Sequence, residues 1–293
     1  HLYFRYDRQT HKSIWSNVAS FVATNKIFDS DVFLCCLPIF NNFGVNVVSM
    51  GAVYSGCSVI LHERFDARAI LNDIKKYKAT YLAGTPTMYS YLLSEYDPGI
   101  HDVSSLRVCN SGGAFLATEI LNKVEETFNC TMLNGYGQTE GCGFTTLNPL
   151  VGVRKQGSVG LPLSNLLFRI LDPKGNEMPA NEVGEIALKG DTIASTGYWN
   201  KPEANENSFS DGWFLSGDLG YKDEDGYIFV VDRKTDLIIT GGSNIYPAEV
   251  EEALYKHPKI SLAAVIGVPD EVKGEIPKAY VVLKEGEQCS EKE

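Results

Sequence analysis

No run of apolar residues in this 293-residue sequence approaches the roughly 18–20 that a helix needs to span a bilayer. The most apolar region, residues 45–61, is broken by Gly51, Ser55 and Gly56, with Gly44 just ahead of it, and reads as helix, turn and strand. Concentrated positive charge is also missing. Lys75-Lys76 is the densest cluster and reads as the solvated face of a helix; with a net charge of −11, this argues against a nucleic-acid partner, whose phosphates want gathered Lys and Arg. The seven cysteines (35, 36, 57, 109, 130, 142 and 289) contain no C-x-x-C pair. They are odd in number and several lie in apolar runs, so they read as reduced thiols of a cytoplasmic protein. Residues 1–9 lack the grammar of a signal peptide and open on aromatics and arginines, while 285–293 are charged and follow directly on an apolar strand pattern. Both ends read as cut. There is no internal repeat and no low-complexity segment.

What is present is ordinary for a globular chain: 44% hydrophobic and 22% charged residues, with a length that suggests about two domains. From 10 to 147, strand-like and helix-like segments alternate. Helical spacing covers 13–25, an apolar run covers 32–37, and 59–62 reads as a short buried strand. Asp66 is placed to cap a helix over 67–77 whose Ile70, Leu71 and Ile74 share a face. Residues 80–83 read as another buried strand, Pro86 opens a helix to 94, 106–109 is a strand, 117–128 an amphipathic helix and 130–133 a strand. Short buried strands separated by helices predict right-handed βαβ units, a parallel sheet, and ligands beyond the carboxyl ends of its strands. After Pro149 the pattern becomes antiparallel: 166–171, a turn at Asp172-Pro173-Lys174-Gly175, 184–189, 213–215 and 227–231. This β-rich part could take the form of a distorted barrel. Beyond the polar stretch 232–236 come a strand at 237–240, a helix at 247–255 and strands at 262–268 and 278–283. The expected fold class is α/β: parallel-sheet layers plus a β-rich subdomain, followed by a small α+β C-terminal domain.

The densest chemistry lies in Asn134-Gly135-Tyr136-Gly137-Gln138-Thr139-Glu140. Glycines allow close backbone approach, the ring offers a stacking face, the hydroxyl can reach a phosphate oxygen, and the carboxylate can hold a hard cation such as Mg²⁺. These features read as a nucleotide site at the end of a strand. A plain Gly-rich turn is the alternative.

Six segments in order resemble the motifs of one family: Leu37-Pro38-Ile39-Phe40, Ser111-Gly112-Gly113-Ala114, Tyr136 to Glu140, Gly197-Tyr198-Trp199, Gly212 to Asp218, and Gly241-Gly242-Ser243-Asn244-Ile245-Tyr246-Pro247. The chain resembles the adenylate-forming superfamily of acyl-CoA synthetases, adenylation domains and beetle luciferases. That resemblance implies a two-step reaction in which a carboxylate attacks the α-phosphate of ATP and a thiol then displaces AMP. It implies that Gly112, Gly113 and Ala114 lie against adenine and Tyr136 stacks on the other face, with Gly137 and Gln138 in the same nucleotide motif. Thr139 would hydrogen-bond the α-phosphate, Glu140 would hold Mg²⁺, Asp218 would accept both ribose hydroxyls, and Arg233 would also reach the ribose. Without the family, Asp218 is a turn residue, Arg233 a surface ion-pair partner, and Thr139-Glu140 a helix N-terminus.

The resemblance further implies a large AMP-binding domain with an α/β part over 1–149 and a β-rich part over 150–232, a hinge at 233–236, and a small domain over 237–293. Gly241 and Gly242 would line the pantetheine tunnel; a tight turn before a helix is their plainer reading. The usual Asp or Lys pivot is Thr235 here, and Asn41 stands where many relatives carry histidine. The phosphate loop expected just before Thr10-His11 does not match residues 1–9, and the adenylation lysine would fall a few dozen residues past Glu293. The resemblance therefore implies a chain truncated at both ends. The expected function is an ATP-dependent acid–CoA ligase taking a fatty acid, ATP, Mg²⁺ and coenzyme A. The alternatives are an aryl- or succinylbenzoate-type ligase, or an AMP-binding fragment without turnover. Acyl specificity and oligomeric state are not legible in the sequence.

Overall fold

The computed structural model describes residues 6–194 and 197–290; residues 1–5, part of the unassigned opening stretch, and 291–293, the end of the charged tail, lie outside it. Helix α1 (His11–Asn25) begins two residues earlier than its apolar spacing predicts. Its start is set by a reciprocal cap: Thr10 Oγ1 accepts from the Ser13 N–H at 3.0 Å, and Ser13 Oγ accepts from the Thr10 N–H at 2.9 Å. After strand β1 (Val32–Cys35), the helical stretch Phe43–Ser49 runs straight into α2 (Met50–Ser55). Gly51 does not break it, because the absent side chain makes room for the Phe21 ring, which would stand 3.2 Å from a Cβ there. Strand β2 (Ser58–Leu61), expected to be buried, is the edge of the sheet, and Leu61 is 56% exposed.

Helix α3 (Ala67–Tyr77) is capped as expected, with Asp66 Oδ1 accepting from the Ala69 N–H at 2.9 Å; Ile70, Leu71 and Ile74 are fully buried. There follow β3 (Tyr81–Gly84), α4 (Pro86–Glu95), β4 (Val108–Ser111), α5 (Thr118–Phe128), β5 (Thr131–Gln138), β6 (Gly143–Leu147) and β7 (Leu161–Pro162). The sheet order is β2-β1-β3-β4-β5-β6-β7, parallel through β5 and antiparallel beyond it. Neighbouring residues of each central strand point to opposite faces. Phe33, Tyr81, Val108 and Leu133 enter one core, while Leu34, Leu82, Cys109 and Met132 enter another with α3, α4 and α5. Both faces are covered, as a parallel sheet requires.

The second sheet contains β8 (Leu166–Leu171), β9 (Gly184–Gly190), β10 (Phe209–Ser210), β11 (Trp213–Lys222) and β12 (Ile228–Arg233), with α6 (Pro202–Ser208) before β10. Its order is β10-β11-β9-β8 with β12 also on β11, so it is an open antiparallel sheet rather than a barrel. Ile170, Ile186, Leu188, Phe214 and Ile228 share a core with Phe144 and Leu147 of the first sheet. The change of sequence pattern at Pro149 is therefore not a break in packing.

The third sheet, β14-β13-β16-β15, comprises β13 (Ile238–Thr240), β14 (Ser243–Ile245), β15 (Ile260–Asp270) and β16 (Gly274–Leu283), with α7 (Pro247–Tyr255) against it. β14 has no counterpart in the sequence reading. Gly241 and Gly242, at φ 55° and 84°, form the two-residue turn that pairs Thr240 with Ser243. Two successive positive φ values are what such a hairpin demands.

Candidate active site

The Gly-rich stretch after Leu133 is not a loop. β5 continues through Gln138, antiparallel to β6, and only Thr139–Gly141 turns away. Glycine is required for this: a Cβ at Gly135 would meet Leu147 and Phe144 at 2.7 Å, and one at Gly137 would stand 1.9 Å from the Gly143 carbonyl oxygen. The strand still carries its residues past the end of β4, where the two strands last pair at Ser111 and Asn134.

A cavity of about 800 Å³ opens there. Its wall brings together Gly113, Ala114, Tyr136, Gly137, Gln138, Thr139, Glu140, Asp218, Arg233 and Thr235, with Ile238, Gly267 and Glu275 of the third sheet opposite. Gly112 is not on the wall. It is buried under the Phe144 ring, 2.7 Å from where a Cβ would sit. Gly241 and Gly242 lie on the exposed β13–β14 turn, away from the cavity wall. Asn41 is exposed and its Oδ1 accepts from the Gly44 N–H at 3.0 Å, so it starts the following helical stretch. Of the 232–236 segment, Asp232 and Arg233 end β12 and 234–236 form a turn, in which the Asp236 N–H reaches the Arg233 carbonyl at 3.0 Å and the Lys234 N–H reaches the Gly217 carbonyl at 2.8 Å.

Asp218 lies directly across from Arg233 in the β11–β12 register. Tyr136 Oη donates to Asp218 Oδ2 at 2.5 Å, and Arg233 Nε stands 3.6 Å from Oδ1. The Asp218 side chain is 14% exposed against 73% for Arg233, so the acid is the fixed partner and the base the mobile one. Burial holds the Asp218 carboxyl above the usual range despite the pull of the Tyr136 hydrogen bond and the Arg233 charge. Burial and the neighbouring Asp218 charge push the Tyr136 phenol well up, so it stays protonated and donates.

The Thr139–Glu140 turn is held from several directions. Gln9 Nε2 and Asn42 Nδ2 donate to the Thr139 carbonyl at 2.8 and 2.9 Å, and the Ala194 N–H donates to the Glu140 carbonyl at 2.8 Å. Asn17 Nδ2 donates to the Gly141 carbonyl at 3.0 Å, and Asn46 Nδ2 to that of Cys142 at 3.0 Å. The Tyr198 hydroxyl donates to Glu140 Oε1. Asp7 pairs through its backbone with Tyr198 and hydrogen-bonds Gln9, and its carboxyl is pushed up to about 6 by burial, with the Glu140 charge adding to the shift. Of these supporting residues only Tyr198 lies in a motif read from the sequence, and its pairing with Glu140 is not legible there. Gln9 and Thr139 are 130 positions apart, and an amide side chain carries no pattern that announces such a partner.

Among the described residues no three His, Cys, Asp or Glu side chains converge as a metal cage. Glu140 offers a hard carboxylate on the cavity wall. That donor set fits magnesium, which is commonly held by one or two carboxylates together with water and substrate phosphates.

The family model described as AMP-binding enzyme matches residues 9–199, and that for the AMP-binding enzyme C-terminal domain matches 249–293. The chain belongs to the AMP-binding enzyme family. It is 39% identical over 289 residues to a long-chain-fatty-acid–CoA ligase of Bacillus subtilis, covering 97% of this chain and 51% of the relative. To a 2-succinylbenzoate–CoA ligase of Bacillus licheniformis it is 38% identical, covering 94% and 56%. The ATP-bound MatB structure from Rhodopseudomonas palustris superposes with a TM-score of 0.89 at 34% identity, covering 97% and 56%. The o-succinylbenzoate CoA synthetase of Bacillus subtilis, in complex with ATP and magnesium, does so at 0.84 and 34%, covering 97% and 58%. This AMP-binding enzyme chain thus spans about half the length of the curated relatives it matches. No helix among its described residues is long and apolar enough to cross a membrane.

Proposed function

We propose that this chain carries the nucleotide-binding part of an ATP-dependent acid–CoA ligase, which activates a carboxylic acid as acyl-AMP and passes it to the thiol of coenzyme A. The observation that carries this reading is the Tyr136–Asp218–Arg233 cluster sharing one cavity with Thr139 and Glu140. The half-buried Asp218 carboxylate is a fixed acceptor for ribose hydroxyls, and the exposed Arg233 beside it also reaches them in this reading. Tyr136 presents its ring to the base while its hydroxyl is anchored on Asp218. Gly113 and Ala114 are exposed beside it and admit a flat ring against backbone. Thr139 is exposed; in this reading it meets the α-phosphate, and Glu140 would hold Mg²⁺. A magnesium ion bound there offsets the repulsion between an attacking carboxylate and a polyphosphate. Gly112 supports this wall from behind, and Gly241 and Gly242 belong on the thiol side.

The division into 1–149, 150–232, hinge 233–236 and 237–293 stands as part of the same reading, with the two large parts sharing one core. A fatty acid is the acid we favour, since the fatty-acid ligase relative resembles this chain at least as closely as the succinylbenzoate ligases do. All seven cysteines are free, which suits the cytoplasm. Carboxylate-dependent exchange of label between pyrophosphate and ATP tests the reading. Exchange that grows with a fatty acid supports it, whereas AMP binding without exchange under any acid would identify a nucleotide-binding unit without turnover.

A further inference from the structure

Tyr198 is 2% exposed, in a part of the chain far from the nucleotide cluster in sequence. Its hydroxyl ends on Glu140 Oε1, one of the two oxygens available to a cation. The backbone that carries it is clamped. Asn205 Oδ1 accepts from the Tyr198 N–H at 2.6 Å, and Asn205 Nδ2 donates to the Tyr198 carbonyl at 3.0 Å. Gly197, at φ 64°, makes the clamp fit: a Cβ there would stand 2.5 Å from Asn205 Oδ1. The ring lies edge-on to Phe209 at 5.8 Å. The same segment also holds the Glu140 backbone through the Ala194 N–H. A phenol so constrained has no freedom to follow the carboxylate; the carboxylate must follow it.

We propose that Tyr198 is a positioning residue: by binding Glu140 Oε1 from a clamped backbone, it fixes the carboxylate so that its other oxygen faces a divalent cation in the cavity. The proposal rests on the reading of Glu140 as the cation ligand. A donor behind a ligating carboxylate orients it and removes the entropy of finding the productive rotamer, and loss of such a donor typically weakens metal affinity by about 10–100-fold.

The test uses Mn²⁺ as a paramagnetic stand-in for Mg²⁺, titrated into the AMP-saturated chain and followed by electron paramagnetic resonance, with AMP affinity measured separately by calorimetry. Tyr198→Phe removes one oxygen and keeps the ring. The expected result is Mn²⁺ binding weakened by roughly tenfold or more, with AMP affinity within about twofold of the parent. Asn205→Ala, which releases the clamp and leaves the hydroxyl, should weaken Mn²⁺ binding in the same direction by less. Weakening by Glu140→Gln together with unchanged Mn²⁺ affinity in Tyr198→Phe would overturn the positioning role alone. Unchanged Mn²⁺ affinity in Glu140→Gln would overturn the ligand assignment, and the role of Tyr198 with it. Parallel loss of AMP affinity and melting temperature in Tyr198→Phe would show a merely structural hydroxyl and also overturn it.

Discussion

At the scale of single residues, burial raises the carboxyls of both Asp218 and Asp7, and each is partly relieved by a side-chain hydrogen bond. Asp218 is held in place by Tyr136 and is spared part of the cost of burial by that bond. Asp218→Ala should weaken AMP binding by roughly 1–3 kcal/mol, for the loss of buried, charge-assisted hydrogen bonds, and unchanged affinity in calorimetry would remove it from the ribose site. Asp7 has its carboxyl raised from 3.8 to about 6 by burial. Below the lower value it is neutral in both folded and unfolded chains and makes no difference to stability. As pH rises through 6, the folded protein must bury a charge that the unfolded chain solvates, so stability falls. Asp7→Asn keeps an acceptor for Gln9 and should therefore stabilise the protein at pH 8 by on the order of 1–3 kcal/mol. The gain should vanish as pH drops toward 4, as urea titrations across that range would show. The family resemblance singles out Tyr136, Thr139, Glu140, Asp218 and Arg233 in the sequence, and the structure brings all five to one cavity. The Tyr136–Asp218 bond was not legible there, because 82 residues separate its ends.

Among the elements, β5 shows best what patterns can and cannot tell. Its apolar start at Met132 and Leu133 announces a strand, but its continuation through two glycines reads as a loop, since glycine lacks the side chains that mark strands. The structure explains the glycines by what lies against them: Phe144 and Leu147 over Gly135, and the Gly143 backbone against Gly137. Gly137→Ala would drive a methyl into a carbonyl oxygen and should destabilise the β5–β6 pair by about 3 kcal/mol, with loss of AMP binding in the same preparation. Urea unfolding checks the first effect and calorimetry the second. The helices were easier. Asp66 and Pro86 are local signals acting within one turn, and they predicted α3 and α4 to within a residue or two. The strand expected at 237–240 is β13, but its hairpin partner β14 has no signal in the sequence: three residues are too short for a periodic pattern, and only pairing such as Ile238 with Ile245 defines it.

For the whole molecule, the three sheets meet at one place. The cavity takes its wall from β5, from β11 and β12, and from the third sheet through Ile238, Gly267 and Glu275. Asp232 adds a direct tie, accepting from the Ala248 N–H at 3.2 Å at the start of α7. A nucleotide bound there touches all three and should stabilise them together. At an AMP concentration of about 100 times the dissociation constant, the gain is about 2.7 kcal/mol. For a chain of this size that corresponds to a rise in melting temperature of about 4–5 °C. Scanning calorimetry with and without AMP checks this, and Asp218→Ala should reduce the shift.

By itself the sequence determined the class of fold, the order of the motifs and the family, because capping, periodicity and motif order act locally or survive as text. The tertiary structure alone decided that the β-rich part shares the first sheet's core, that Gly112 serves Phe144 rather than the cavity wall, and that Tyr198, Gln9 and Asn42 hold Thr139 and Glu140 in place. Those are contacts between residues tens to more than a hundred positions apart, and no local propensity encodes them. They exist only once the chain has closed on itself.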